Sequence, residues 1–186
     1  MAAWYDHIDD ERREFIERQH IFFVATAPSD PDGFPNVSPK GRSLLRVLGP
    51  NLVGYTDYPG SGNETATHLG QGSRITLMLT SFDATAGTLR LYGRGRRVDL
   101  DDPELARYRD AFVDDLHPYV RQAFFIDVEK LQTSCGYSIP RMTYQSDRET
   151  LDLWCERKIE PRELVNGMPQ PGALRAKGTA APPVVP

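Results

Sequence analysis

Two cysteines in 186 residues, Cys135 and Cys155, are too few for a disulfide framework and lack the paired spacing of a zinc site. That usage fits a reducing compartment, and the cytoplasm is the expected location. Apolar runs are short: none approaches the roughly 20 residues that span a bilayer. The polar, acidic N-terminus also lacks the basic-then-apolar order of a signal peptide. A basic excess is missing too. The formal net charge of −4 and a pI near 5.6 exclude a bulk pull toward nucleic acid or an anionic membrane, so any phosphate must be held by a local site. No alternation of basic and aromatic residues marks a single-stranded nucleic-acid face, which argues against an OB-type reading. His7, His20 and His117 stand in no ligand spacing, so no metal centre is expected. Internal repeats and heptads are also lacking.

What is present is one domain's worth of core. An apolar share of 39% can fill a single core, expected over residues 1–166; residues 167–186, rich in Pro, Ala and Gly, are expected to be an arm or a disordered end. Tyr5, Ile8, Phe15 and Ile16 fall near one helical face and predict an entry helix over 5–19. Extended segments follow at 21–27, 34–38, 43–48, 51–57, 75–80, 89–98 and 124–131, punctuated by Gly, Pro, Asp and Ser turns, with 43–48 and 51–57 close enough to form a hairpin. Short helices are expected at 64–69, 103–115 and 147–158. The pattern is mainly β (α+β): about six antiparallel strands forming a closed or nearly closed Greek-key barrel, with helices at its ends and in one connection.

Two segments carry chemistry. Val37-Ser38-Pro39-Lys40-Gly41 and the stretch from Tyr55-Thr56-Asp57 through Gly60-Ser61-Gly62-Asn63-Glu64-Thr65 each sit where a strand pattern breaks. One lysine, a glycine-rich bend and several hydroxyl or amide side chains at the start of a helix supply what a phosphorylated cofactor needs: a cation, free backbone N–H groups and a favourable dipole. The plainer reading of Lys40 is a solvated turn lysine, and the second segment is what shifts the balance. Gly60-Ser61-Gly62 is not a dinucleotide fingerprint, since no third glycine follows and the surroundings are not a βαβ unit. Arg90, Arg94, Arg96 and Arg97 read either as an anion-binding groove or as the polar face of a barrel strand. At a helix end, His68 suggests a dipole contact, and Trp154 a core or interface residue.

These segments, the strand start Arg74-Ile75-Thr76-Leu77-Met78, and Cys135-Gly136-Tyr137-Ser138-Ile139-Pro140 followed by a helix with Trp154 resemble the flavin-binding split-barrel superfamily typified by pyridoxamine 5′-phosphate oxidase. The likeness covers roughly residues 5–135. It implies a split barrel, FMN as cofactor, and a homodimer with FMN in clefts shared by both chains. By the same resemblance Lys40 takes a phosphate-binding role, with Ser38, Pro39, Gly41 and Arg42 around it. Tyr55, Thr56 and Asp57 run beside the flavin ring, and Ser61, Gly62, Asn63, Glu64 and Thr65 replace the family's Ser-Arg-Lys phosphate grip.

The family's first phosphate arginine falls on Pro35, and the replaced Ser-Arg-Lys grip leaves two cations missing, so neutral donors would have to compensate. The family's C-terminal Arg-x-His substrate pair has no match, so vitamin B6 oxidation is not expected. With FMN bound, Lys40 or Arg42 would stand near the ring's N1–O2 edge. The expected activity is a flavin-dependent oxidoreductase acting on another small molecule. The alternative is a protein that holds FMN, the deazaflavin F420 or haem without turning over a dedicated substrate.

Overall fold

In a computed structural model, residues 2–178 are described; the rest of the expected C-terminal arm, 179–186, lies outside the described residues. The chain runs β1 (Ala3–Tyr5), α1 (Asp10–Glu17), β2 (Phe22–Thr26), β3 (Asn36–Lys40), β4 (Arg46–Gly49), β5 (Leu52–Asp57), α2 (Glu64–Gly70), β6 (Arg74–Thr80), β7 (Thr88–Val98) and α3 (Pro103–Arg107). A 3-10 turn at Arg109–Phe112 leads to β8 (Gln122–Ser134) and α4 (Thr150–Lys158). Beyond it lie four two-residue strands, β9 (Ile159–Glu160), β10 (Leu164–Val165), β11 (Met168–Pro169) and β12 (Arg175–Ala176). Among the described residues no helix is long and apolar enough to cross a membrane.

One antiparallel sheet of eight strands, in the order β3-β2-β6-β7-β8-β5-β4 with β1 added on β8, makes the split barrel. Seven of these strands, β2–β8, answer to the seven extended segments of the sequence, so the barrel has more than the six or so strands expected. The eighth is β1, whose Tyr5 pairs with Leu131, so the entry helix begins only at Asp10, where Asp9 caps it by accepting from Arg12 N–H at 3.0 Å. The expected helix over 103–115 likewise breaks at Tyr108 into α3 and a 3-10 turn. The end strands β3 and β4 are consecutive in the chain, and the seam between them is spanned by residues 41–45. There Arg42 (φ 66°) and Ser43 (φ 51°) are both left-handed, which is why the strand expected from 43 starts only at Arg46.

Alternation places Phe22 and Val24, Ile75, Leu77 and Leu79, and Tyr55 and Phe124 in the barrel interior, all at most 2% exposed. Facing away from that core, Ala123 and Phe125 pack under Leu105, Phe112 and Val120, a second core that seals the outer side of β5 and β8. β5 and the start of β8 are therefore buried on both faces. At about 25 cal/mol per Å² of apolar surface, this double burial makes β5 and β8 the stiff backing against which the site is built.

Candidate functional site

Along β3, Asn36, Ser38 and Lys40 line a cavity of about 160 Å³, while Val37 and Pro39 on the other face are exposed. The opposite wall is the connection from β5 to α2: Asp57, Tyr58, Gly60, Ser61, Gly62, Asn63, Glu64 and Thr65, completed by Arg121 and Phe124 at the head of β8. Asp57 is the hub. Only 3% exposed, its carboxylate accepts from Lys40 Nζ at 3.2 Å, from Arg121 Nε at 3.1 Å and Nη2 at 2.6 Å, and from Gln122 Nε2 at 2.9 Å. Arg121 also donates to Gly62 O at 3.2 Å, and Gln122 Nε2 to Asn63 Oδ1 at 2.8 Å, so the glycine-rich bend is tied to β8 from below. A buried carboxylate is tolerated only when its lone pairs are met, and here they are.

Eight of the expected residues thus meet at one cavity: Ser38, Lys40, Asp57, Ser61, Gly62, Asn63, Glu64 and Thr65. The other five stand elsewhere. Pro39 points away from the cavity on the exposed face of β3, and Gly41 is exposed beyond its end. Tyr55 is wholly buried between Phe22 and Phe124, both at 5.3 Å between ring centres; its hydroxyl has no partner, and burial raises its pKa well above the ordinary range. Thr56 is also fully buried, one residue on and therefore on the opposite face, with Oγ1 unpartnered. Both side chains are enclosed because both faces of β5 are packed with protein, and neither lines the cavity. Arg42 turns outward to Asp152 on α4.

Other expectations shift in detail. Lys40 closes strand β3 rather than sitting in a turn, since Pro39 and Lys40 pair with Phe23 and Phe22. The start of the helix offers less to an anion than expected: α2 is seven residues long, its first turn carries Glu64, and Asn63 spends its oxygen on Gln122 instead of capping. A Cβ at Gly62 would meet only the Glu64 carboxylate, the free end of a flexible side chain that can swing aside. A second cation, Arg121, stands at the cavity; sequence reading did not single it out, because nothing near it in the chain marks it. Asn36 and Phe124 were missed as well, while Tyr58 and Gly60, inside the singled-out stretch, also line the cavity. Tyr58 donates to Asp115 O at 3.4 Å, and burial pushes its phenol up to about 12.

The four arginines of β7 are largely spoken for. Arg94 pairs with Glu129, Arg96 with Glu104 and Asp127, and Arg97 with Asp99, while Arg90 donates to Ser134. A basic groove for an acidic cofactor tail is therefore already neutralised. His68 packs under the barrel with Nδ1 2.9 Å from Thr26 Oγ1, pinning α2 to β2. Among the described residues no cluster of three or more His, Cys, Asp or Glu could hold a metal ion.

Comparison with known proteins agrees with this architecture. The chain matches the pyridoxamine 5′-phosphate oxidase family over residues 8–135. It is 38% identical over 152 residues to a pyridoxamine 5′-phosphate oxidase family protein, ustO, of Aspergillus flavus; the match takes in 81% of this chain but only 61% of that longer curated relative. Among solved structures, the H111A form of HupZ from Group A Streptococcus superposes with a TM-score of 0.55 at 18% identity, covering 68% of this chain and 99% of that one. A protein described as a pyridoxamine 5′-phosphate oxidase from Lactobacillus delbrueckii does so with a TM-score of 0.50 at 18% identity, covering 68% and 98%. These two likenesses show the fold. With β2 to β8, α2 and the cavity all inside the matched span, the chain belongs to the pyridoxamine 5′-phosphate oxidase family.

Proposed function

We propose that this protein binds FMN and acts as a flavin-dependent oxidoreductase on a small molecule other than vitamin B6. The observation that carries the reading is the convergence of Lys40 and Arg121 on one buried carboxylate, Asp57, at a cavity rimmed by Ser38, Ser61, Asn63 and Thr65. That donor set fits a phosphate monoester: two fixed cations and several hydroxyl or amide groups, with Asp57 holding both cations in place before ligand arrives. Glu64 opposes it, so the cavity's own charges, Lys40 and Arg121 against Asp57 and Glu64, sum to zero and the attraction is local.

A flavin bound there would supply two-electron chemistry at its ring. The chain's part is to hold and shield. Lys40 and Arg121 would grip the phosphate, the Gly60–Gly62 bend would let backbone approach it, and Phe124, resting on Tyr55, would keep water from the cavity floor. A cavity of about 160 Å³ falls below the roughly 300–1,000 Å³ of pockets that enclose small ligands. That shortfall supports a homodimer in which a second copy covers the ring. The exposed Phe34 and Val37, on and beside the strand that lines the cavity, are suited to such a contact.

Titrating ligand-free protein with FMN, followed by flavin fluorescence, tests the site. Lys40→Ala and Arg121→Ala are each expected to weaken binding by about 1.5–3 kcal/mol, the worth of a charge-assisted hydrogen bond. Unchanged affinity in both would place the phosphate elsewhere. Anaerobic reduction of the loaded protein by NADH, NADPH or candidate substrates tests the activity; a flavin that none of them reduces would leave only binding.

A further inference from the structure

Arg42 lies just beyond the cavity, and its backbone is held in an uncommon state. It and Ser43 are consecutive non-glycine residues at positive φ, a conformation that costs energy and persists where surrounding structure enforces it. The effect of the bend is to turn the Arg42 guanidinium over the ring of Tyr58, 5.3 Å from its centre, and Tyr58 lines the cavity. Both arms of the guanidinium are taken by one carboxylate, Asp152, at 2.9 and 2.5 Å.

The origin of that carboxylate matters. Lys40 and Arg121 are paired with Asp57 inside the sheet, and Arg46 with Asp115, but Asp152 comes from α4, outside the span matched by the family. α4 is lightly seated: of its nine residues only Cys155 is buried, while Leu153 and Trp154 remain 48% and 38% exposed. The fork on Asp152 thus ties α4 to the barrel, and it holds a carboxylate on the guanidinium that lies over Tyr58 at the rim of the cavity.

We propose that Asp152 occupies, in cis, the place of a substrate carboxylate: Arg42 and Tyr58 form the subsite for a small carboxylate-bearing molecule, and α4 is a strap that must release for it to bind. This rests on the reading of the adjoining cavity as the cofactor site. A tethered carboxylate competes at high effective concentration, so the full chain binds a free carboxylate weakly, in proportion to the fraction of molecules in which the fork is open.

The test is calorimetric titration of the full chain with benzoate at constant ionic strength, with FMN titrated separately into each variant. Asp152→Asn is expected to bind benzoate about tenfold or more tightly than the wild type, and adding Arg42→Gln to it is expected to abolish the gain. In the wild type, saturating benzoate is expected to speed hydrogen exchange of the amides of residues 150–158. Equal benzoate affinity in wild type and Asp152→Asn, or no change in exchange should that variant fail to fold, would overturn the proposal and reduce the fork to a structural ion pair. FMN titration separates the two readings: protein that gains benzoate affinity but binds no FMN keeps the carboxylate subsite and loses the cofactor assignment.

Discussion

Asp57 and Asp115 show how two buried carboxylates of one chain can be given opposite circumstances. Asp57 meets three donor side chains and is fully engaged. Asp115, 5% exposed, pairs with Arg46, yet burial outweighs that pairing and, with Asp114 nearby, raises its pKa from 3.8 to about 6. An acid raised in the folded state keeps its proton there after the unfolded chain has lost it. Its contribution to stability therefore falls as pH climbs from about 4 to about 6 and is level above that, by at most about 3 kcal/mol. Asp115→Asn is expected to remove this slope: the melting temperature of the variant relative to the wild type should rise between pH 4 and 6 and then stay constant. A difference that does not change with pH would mean that Asp115 ionises normally in the fold. At this scale the sequence was partly legible. Lys40 and the 57–65 bend announced themselves because cation, glycines and hydroxyls are close together in the chain, whereas Arg121 is brought to Asp57 across 64 residues and carries no local signal. Tyr55 looks available in the sequence until both faces of its strand are known to be covered.

Strands with clean alternation, such as β6 with Ile75, Leu77 and Leu79 inward, could be read directly, and their antiparallel pairing followed from the short turns between them. β1 could not, because three residues have no period and its partner, β8, is more than a hundred residues away. Nor could the β7–β8 bulge. The register shifts between Tyr92 and Gly93, and a Cβ at Gly93 would collide with Asp127 O, a backbone atom that cannot swing aside. Gly93→Ala is accordingly expected to cost about 1–3 kcal/mol in chemical denaturation. A neutral result would show that the strands can part there without loss, and β8 would then be a less rigid backing for Arg121 and Phe124 than proposed.

The whole molecule is a barrel with its site at the rim and a loosely seated C-terminal helix beside it. Its exposed aromatic and aliphatic side chains are not spread evenly by sequence: Phe34 and Val37 cluster near β3, and Tyr137, Met142, Tyr144, Leu153 and Trp154 follow β8. If a second copy completes the cofactor site, occupancy is linked to assembly. Diluting FMN-loaded protein below its dimer dissociation constant should release flavin in step with the appearance of monomer on size-exclusion chromatography. Monomer that keeps its full complement of flavin would contradict the shared-site proposal.

The central claim, that the Lys40–Asp57–Arg121 cavity is a flavin phosphate site, is tested most directly by the visible absorption spectrum of the purified protein, followed by identification of whatever heating releases. The account predicts the two-band spectrum of an oxidised flavin and FMN in the released fraction. A colourless protein to which added FMN restores nothing would contradict it, leaving a member of the family whose rim cavity serves another ligand.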